Sequence, residues 1–184
     1  MKLYDAQEIA ERYRQMLAPH CHPGRCVIGG SLRRERDEIK DIEIICIPKR
    51  VLVSVATEGA DLFGPAIVHP SKIENTNAFV EIVEKWPKVK GDARTGKYTQ
   101  RVLPEGIKLD LFMVVTDNWG AQLLIRTGNW AYSKWFMGSA LRRAGYEMRD
   151  GFVHQGDRVI PVLEEVDMFR LAKVQYVEPM LRNR

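Results

Sequence analysis

Apolar residues in the first part of the chain recur at helical spacing and then at strand spacing. From residue 5 to residue 17 they lie three or four positions apart among Glu and Arg, which predicts an amphipathic helix that ends before Pro19. Val27 and Ile28 predict a first strand, and the apolar run 44–47 predicts a second. Residues 20–26 are expected to form a loop between the helix and the first strand.

Strand and helix patterns continue to alternate along the rest of the chain. The next predicted elements are a strand at 51–56, a loop at 59–71, a helix capped by Asn75 or Thr76 and ended by Pro87, a hairpin at 88–101 and a buried strand at 106–115. They are followed by a helix capped by Asp117, a break at 126–129, a longer helix ending at Gly145, a small sheet, and a short helix at 164–171. This order predicts an α+β protein.

The turn after the first predicted strand has the composition of an anion site. Gly29 and Gly30 let backbone N–H groups approach an anion closely, and the Ser31 hydroxyl can add a further donor. A phosphate group is the expected occupant of such a turn.

Two carboxylates open the second predicted strand. Asp41 and Glu43 are two positions apart, so they project from one face of the strand while Ile42 and Ile44 project from the other. Mg²⁺ prefers oxygen ligands and is commonly held by one or two carboxylates together with substrate phosphates. Taken alone, an Asp-x-Glu tripeptide at a strand start more often lies on the surface without a ligand.

A third carboxylate, Asp110, lies inside the later buried strand. A lone Asp there is costly to bury unless it is paired or bound to a metal. Without other context, Asp110 is best interpreted as a residue of an edge strand.

Composition and charge bound these interpretations. The chain has 184 residues, a net charge of +4 and a pI near 9.0, which suit one core with two lobes and are weakly typical of nucleotide or nucleic-acid binding. No secretion signal is recognised near Met1 and no apolar run is long enough to span a membrane. The odd cysteine count favours a reducing compartment; a disulfide between Cys21 and Cys26 is the alternative, and the spacing of the nearby His and Cys residues matches no common zinc site.

Three segments together resemble a known family. Residues 30–34, G-S-L-R-R, followed after six residues by D-I-E at 41–43, are similar to the nucleotidyltransferase motif of the DNA polymerase beta superfamily, and the doubled arginine resembles family X DNA polymerases in particular. The segment L-L-I-R-T-G-N at 123–129 is similar to that family's thumb motif, and 177–182 to its closing residues. The likeness spans nearly the whole chain but leaves no room for the family's DNA-end-binding or lyase domain.

The resemblance implies a fold and a reaction. It implies a nucleotidyltransferase palm at 1–117, with a mixed or antiparallel sheet and helices on one face, followed by a small α/β thumb at 118–184. It implies a monomeric DNA polymerase that adds dNTPs to a primer 3′-hydroxyl in DNA repair or gap filling, in the cytoplasm or nucleoid, or encoded by a virus and acting in its host cell. Two Mg²⁺ ions, for which Mn²⁺ can substitute, would be held by Asp41, Glu43 and Asp110.

The resemblance also assigns binding residues. Those expected around the nucleotide are Gly30, Ser31, Arg33, Arg34, Thr127, Gly128, Asn129 and Ser133. Those expected to contact DNA are Lys97, Arg101, Lys108 and Lys134, with Arg142 and Arg143 as further candidates. An alternative for Arg33 is a structural ion pair with Glu35 or Asp37.

Three departures from the family bear on the expected metal preference, sugar selectivity and fidelity of the reaction. Glu43 stands where the family usually has Asp, Ile125 and Arg126 replace aromatic residues, and Trp130 replaces a polar one. One rival function is a template-independent nucleotidyltransferase that modifies RNA, a small molecule or a protein. A second rival is a nucleic-acid-binding module without activity.

Overall fold

The structure, a computed structural model, describes residues 1–53 and 72–183 and has an α+β fold. The described part contains six α-helices, a five-stranded mixed sheet and two small antiparallel sheets. The helices are α1 Leu3–Leu17, α2 Gly30–Arg33, α3 Asn77–Glu84, α4 Trp119–Thr127, α5 Trp130–Trp135 and α6 Glu165–Ala172. The strands are β1 Cys21–Ile28, β2 Asp41–Pro48, β3 Arg50–Val53, β4 Lys72–Asn75, β5 Lys88–Gly91, β6 Tyr98–Val102, β7 Lys108–Met113, β8 Glu147–Arg149, β9 Phe152–Gln155 and β10 Arg158–Ile160.

The central sheet has the strand order β1-β2-β7-β6-β5. The neighbouring strands β2 and β7 run parallel, and the other neighbouring strands run antiparallel. The parallel pair is possible because a long connection that contains α3 and the β5–β6 hairpin separates β2 from β7 in sequence. The predicted hairpin at 88–101 and the predicted strand at 106–115 are both confirmed.

Each face of the central sheet is covered differently. Ile44 of β2 and Leu111 of β7 pack with α1 and α3 on one face. Ile45 and Phe112 point to the other face, where they pack against Trp119 and neighbouring residues of α4. Helices α1 and α3, from residues 1–117, thus pack on one face, and α4, from the C-terminal part, packs on the other.

The segment before the first predicted strand is itself part of that strand. β1 begins at Cys21 and pairs with Pro48, and its register shifts before Cys26 pairs with Cys46. The predicted loop at 20–26 is thus an irregular stretch of strand. All three cysteines are free and buried, so the alternative of a Cys21–Cys26 disulfide is wrong. A hydrogen bond with Cys21, followed by burial, raises the pKa of the Cys26 thiol, which keeps it protonated.

The C-terminal part has its own apolar core and sheet. Phe136 and Phe169 pack edge to face in a cluster that includes residues of α4, α5, α6 and β9. The antiparallel sheet β10-β9-β8 and helix α6 confirm the small sheet and short helix predicted there. Residues 54–56 of the predicted strand and the predicted loop at 59–71 lie outside the described residues. No helix in the described ranges has the length and apolar character needed to cross a membrane.

Candidate active site

Three carboxylates come together on the second face of the central sheet. In the parallel pairing of β2 with β7, Glu43 lies opposite Asp110, and Asp41 is two residues before Glu43 on the same side of β2. Ile42 and Leu109, which precede Glu43 and Asp110 in their strands, point into the core on the other face. We call Asp41, Glu43 and Asp110 the acidic cluster.

The acidic cluster carries uncompensated negative charge. Burial, followed by the charges of Asp41 and Asp110, raises the pKa of Glu43 to about 7. Burial and the charge of Asp110 likewise raise the pKa of Asp41. These shifts mean that the site disfavours its own ionised form and would gain from a cation among the carboxylates.

Gly30 brings the phosphate-type turn directly against Glu43. Its φ of +59° is in the left-handed region, and a Cβ added there would overlap the Glu43 carboxylate. The neighbouring Gly29 N–H donates to the Glu43 carbonyl at 2.8 Å, which ties the turn to β2. Only glycine can occupy position 30 without moving the carboxylate.

Asp110 is oriented by side chains of the adjacent strand β6. Tyr98 Oη donates a short hydrogen bond to Asp110 Oδ1, and Gln100 Nε2 donates to the same oxygen at 2.8 Å. Burial and the hydrogen bond with Asp110 raise the pKa of Tyr98, so its hydroxyl remains a donor. Neither Tyr98 nor Gln100 was expected from the sequence, although strand alternation places both on the face of the carboxylates.

The donor set suits a hard divalent cation, but the carboxylates are not gathered around one point. All three groups are oxygen ligands, and the raised pKa of Glu43 shows that positive charge is missing there. Within residues 1–53 and 72–183, no group of three or more His, Cys, Asp or Glu side chains is close enough to form a ready-made metal site. The residues therefore fit Mg²⁺ by the type of their ligand atoms, but they do not form a ready-made coordination site.

Arg126 is a further cation on this face of the sheet. The sequence did not assign it to the site. Its guanidinium lies 4.1 Å from the centre of the Phe112 ring, and its buried Nε has no hydrogen-bond partner among the described residues. Burial lowers the pKa of Arg126, while Glu43 is the first of the charges that oppose this shift. Arg126 therefore lies over the site as an incompletely paired charge. In the sequence, Arg126 stood out only because it replaces an aromatic residue of the family that the chain resembles.

The two adjacent arginines, Arg33 and Arg34, make different contacts. Arg34 Nη1 donates to the Thr127 carbonyl at 2.5 Å, and its guanidinium lies in the field of Glu43 and Asp41. Arg33 donates instead to both carboxylate oxygens of Glu165, at 2.7 and 2.8 Å. The phosphate contact predicted for Arg33 does not fit this pairing, and the alternative partners Glu35 and Asp37 are wrong.

Glu165 joins two arginines that are far apart in the chain. Arg182 Nη1 donates to Glu165 Oε1 at 2.5 Å, and Arg182 itself is 0% exposed. Burial works to raise the pKa of Glu165, but the hydrogen bonds from Arg33 and Arg182 outweigh it and the pKa is lowered. We call Arg33, Thr127, Glu165 and Arg182 the Glu165 network, since Thr127 Oγ1 accepts from Arg33 at 2.6 Å.

The Thr-Gly turn between α4 and α5 contributes less than predicted to an open nucleotide site. Thr127 is buried and its hydroxyl faces Arg33, so it does not face a sugar. Asn129 caps α5 by accepting from the Tyr132 N–H at 2.8 Å, and the Ser133 hydroxyl donates to the Ile125 carbonyl at 3.0 Å. Gly128 and Ser133 still line the cavity beside Glu43.

Two cavities open onto the acidic cluster and meet at Arg126. Each has a volume of about 530 Å³. The polar cavity is lined by Lys90, Lys97, Tyr98, Gln100, Asp110, Phe112, Val114, Gln122 and Arg126. The apolar cavity is lined by Glu43, Ile125, Arg126, Gly128, Trp130, Ser133, Lys134, Met137 and Gly138.

The residues predicted to contact DNA fall into two groups. Lys97, Lys108 and Lys134 are exposed on this side of the molecule. Arg101 is only 4% exposed and donates to the Trp86 carbonyl at 3.3 Å. A DNA contact does not fit the burial of Arg101, because its position in β6 points into the core beneath the sheet.

The chain matches no protein-family model, and a search of curated proteins found no match.

Proposed function

We propose that this chain is a nucleotidyltransferase that adds dNTPs to a primer 3′-hydroxyl as a minimal DNA polymerase. The observation that carries the proposal is the pairing of Glu43 with Asp110 across parallel strands, with Asp41 beside them. Three carboxylates on one sheet face, next to a glycine turn, are the arrangement that a metal-dependent phosphoryl transfer needs. Gap-filling repair is the proposed setting.

The residues of the chain divide the chemical work. Two Mg²⁺ ions, when bound by the acidic cluster, would lower the pKa of the 3′-hydroxyl and neutralise charge on the triphosphate. Ser31, the Gly30 backbone and Arg34 hold the terminal phosphates, since Gly30 lies against the Glu43 carboxylate, Arg34 lies in the field of Glu43 and Asp41, and Ser31 follows Gly30 in the same turn. Arg33 has a positioning role, because its ion pair with Glu165 fixes the turn that carries Ser31 and Arg34.

The two cavities separate the two substrates. The apolar cavity suits the nucleobase, because Trp130 at its rim is 75% exposed and Lys134 Nζ lies 4.6 Å from the ring centre. An exposed aromatic ring beside a cation is a favourable stacking surface for a base. The polar cavity, with Lys90, Lys97 and Asp110, suits the end of the primer strand.

Primer extension tests the proposal most directly. A labelled primer on a gapped duplex is incubated with Mg²⁺ and each dNTP singly, using the wild type, Asp110→Asn and Asp117→Asn. Asp117 is an exposed carboxylate in the turn after β7, so its substitution is a matched control. We expect templated addition that falls by at least about 10³-fold in Asp110→Asn, the effect of losing an electrostatic catalytic group, and that is unchanged in Asp117→Asn.

Other outcomes separate the rival functions. Addition that ignores the template base would assign a template-independent transferase. The absence of any addition with dNTPs or rNTPs, together with DNA binding that is indifferent to Mg²⁺, would refute an enzymatic function.

A further inference from the structure

A third cavity lies beyond the C-terminal end of β7, outside the proposed catalytic groups. Its volume is about 180 Å³, and it lies between the β5–β6 turn, the start of β3 and the end of β4. Three cationic side chains line it, Arg50, Arg94 and Lys97, together with the amides Asn75 and Asn118. Among the described residues that line it, none is acidic. A small cavity with this lining favours an anion.

The three cations are not equally engaged with the protein. Arg94 Nη1 donates to Asn77 Oδ1 at 2.8 Å and to Glu74 at 3.3 Å, and Arg50 Nε donates to Asn75 Oδ1 at 3.3 Å. Each guanidinium has five N–H donors, so both keep donors for a ligand. Lys97 is exposed, and no described residue forms a hydrogen bond or ion pair with its ammonium group. The cavity therefore has more positive charge than its own contacts neutralise.

The wall that carries Arg94 and Lys97 is held in place by the backbone. Asp92 Oδ2 accepts hydrogen bonds from the N–H groups of Thr95 and Gly96 at 2.7 and 3.2 Å, which closes the β5–β6 turn. The Arg94 carbonyl accepts from Asn75 N–H at 2.9 Å, and the Lys97 carbonyl accepts from Met113 N–H at 2.9 Å. A turn fixed on both sides presents its charges with little further loss of entropy on binding.

This cavity adjoins the polar cavity at Asp110, because Lys97 and Val114 line both. The positive side chains thus continue from the proposed primer end towards Arg94 and Arg50. We propose that the cavity binds a backbone phosphate of the nucleic-acid strand whose 3′ end lies beside Asp110. The identity of the strand rests on the proposed function, whereas the affinity for a phosphate group does not.

Binding without catalysis tests this inference. Fluorescence anisotropy is measured without nucleotide triphosphate, using primers lengthened one nucleotide at a time on a fixed template, and the variants are Lys97→Gln and Arg50→Gln. Lys85→Gln, an exposed lysine at the far end of α3, is the control of equal charge change. In the wild type, affinity should rise in one step when the strand becomes long enough to reach the cavity.

The two variants should lose that step, bind the long primers about 3- to 10-fold more weakly, and show a salt dependence with a slope smaller by about 1. Lys97→Arg should restore both properties, and Lys85→Gln should change neither.

Thermal unfolding in sodium phosphate, compared with sodium chloride at equal ionic strength, detects a site for free phosphate. Stabilisation that depends on Lys97 without any step in strand binding would overturn the strand assignment. Equal effects of Lys85→Gln and Lys97→Gln would overturn the site.

This outcome is independent of the polymerase assay. A step that depends on Lys97 in a protein that adds no nucleotide would leave the phosphate site standing and refute only the proposed activity. Nucleotide addition with no step in binding would refute the phosphate site and leave the proposed activity standing.

Discussion

The acidic cluster and the Glu165 network are two largely buried groups of charge that both touch α2, and they handle charge in opposite ways. Glu43 faces two other carboxylates, and its pKa is raised to about 7. Glu165 is 6% exposed and lies between two arginines, and its pKa is lowered despite its burial. The neighbours rather than the depth of burial decide the sign of the shift.

This difference separates a group that stabilises the fold from one that is kept for a ligand. The Glu165 network satisfies its charges internally and connects α2 with the C-terminal part of the chain. The acidic cluster leaves its charges unsatisfied, and the fold tolerates them because binding of a cation relieves the repulsion. Arg33 and Arg34, adjacent in sequence, bring the two groups together, since Arg33 serves one and Arg34 borders the other.

The largest expected effect is that of breaking the Glu165 network. Glu165→Gln removes the negative charge between Arg33 and Arg182 and leaves the buried Arg182 and the partly buried Arg33 without a counter-charge. We expect a loss of about 3–5 kcal/mol in the free energy of unfolding, measured by chemical denaturation. Asp110→Asn, which removes a repulsive charge, should not destabilise the protein. Equal losses in both variants would contradict the contrast between the two groups.

The second expected effect is a pH dependence of stability at Glu43, whose pKa is shifted in the opposite direction from that of Glu165. The folded-state pKa, about 7, is above the ordinary value of 4.5, so the unfolded chain ionises first as the pH rises. The free energy of unfolding therefore falls progressively between about pH 4.5 and pH 7, by up to about 3 kcal/mol from this group. Metal-free Glu43→Gln should gain stability over the wild type across this window and hold the gain above it. A difference that is constant with pH would refute the raised pKa.

Mg²⁺ should stabilise the folded protein through the acidic cluster. A ligand at ten times its Kd adds about 1.4 kcal/mol to the free energy of unfolding. Thermal unfolding with and without MgCl₂ at fixed ionic strength should show this gain in the wild type and in Asp117→Asn, and lose it in Asp110→Asn. A Mg²⁺ effect that persists in Asp110→Asn would place the cation elsewhere.

The smallest effect is expected at the glutamate next to Glu165. Glu164 pairs with Arg25 on the surface, where its side chain is 55% exposed. Glu164→Gln should change stability by less than about 1 kcal/mol, because water solvates the Glu164 carboxylate and weakens its ion pair with Arg25. Comparison with Glu165→Gln by the same denaturation measurement sharpens the contrast, since the two substitutions are adjacent and chemically identical. A loss as large as that of Glu165→Gln would show that burial is not the deciding factor.

The sequence predicted those features of the site that depend on local periodicity. The period of two in strands places Asp41 and Glu43 on one face, and the apolar run around Asp110 identifies a buried strand. The alignment of Glu43 with Asp110 depends on parallel pairing of distant strands, which local periodicity does not encode. Likewise, the alternation in β6 does not tell which face is buried, and the interior position of Arg101 was missed for that reason.

Ionic partners across long sequence separations were beyond prediction. Arg33 could equally have paired with nearby acids, and only the packing of α6 against α4 brings Glu165 to it. The importance of Arg126 was hidden for a similar reason, because its role depends on Phe112 and the carboxylates of two strands.

The ion pair of Arg33 has a consequence for the order in which the protein is made. Its partner Glu165 follows it by 132 residues. At about 5–20 residues per second, a ribosome needs roughly 7 to 26 seconds to add that length. During that interval the nascent chain carries Arg33 without the carboxylate that later secures it, so the link between α2 and the C-terminal part forms only late in synthesis.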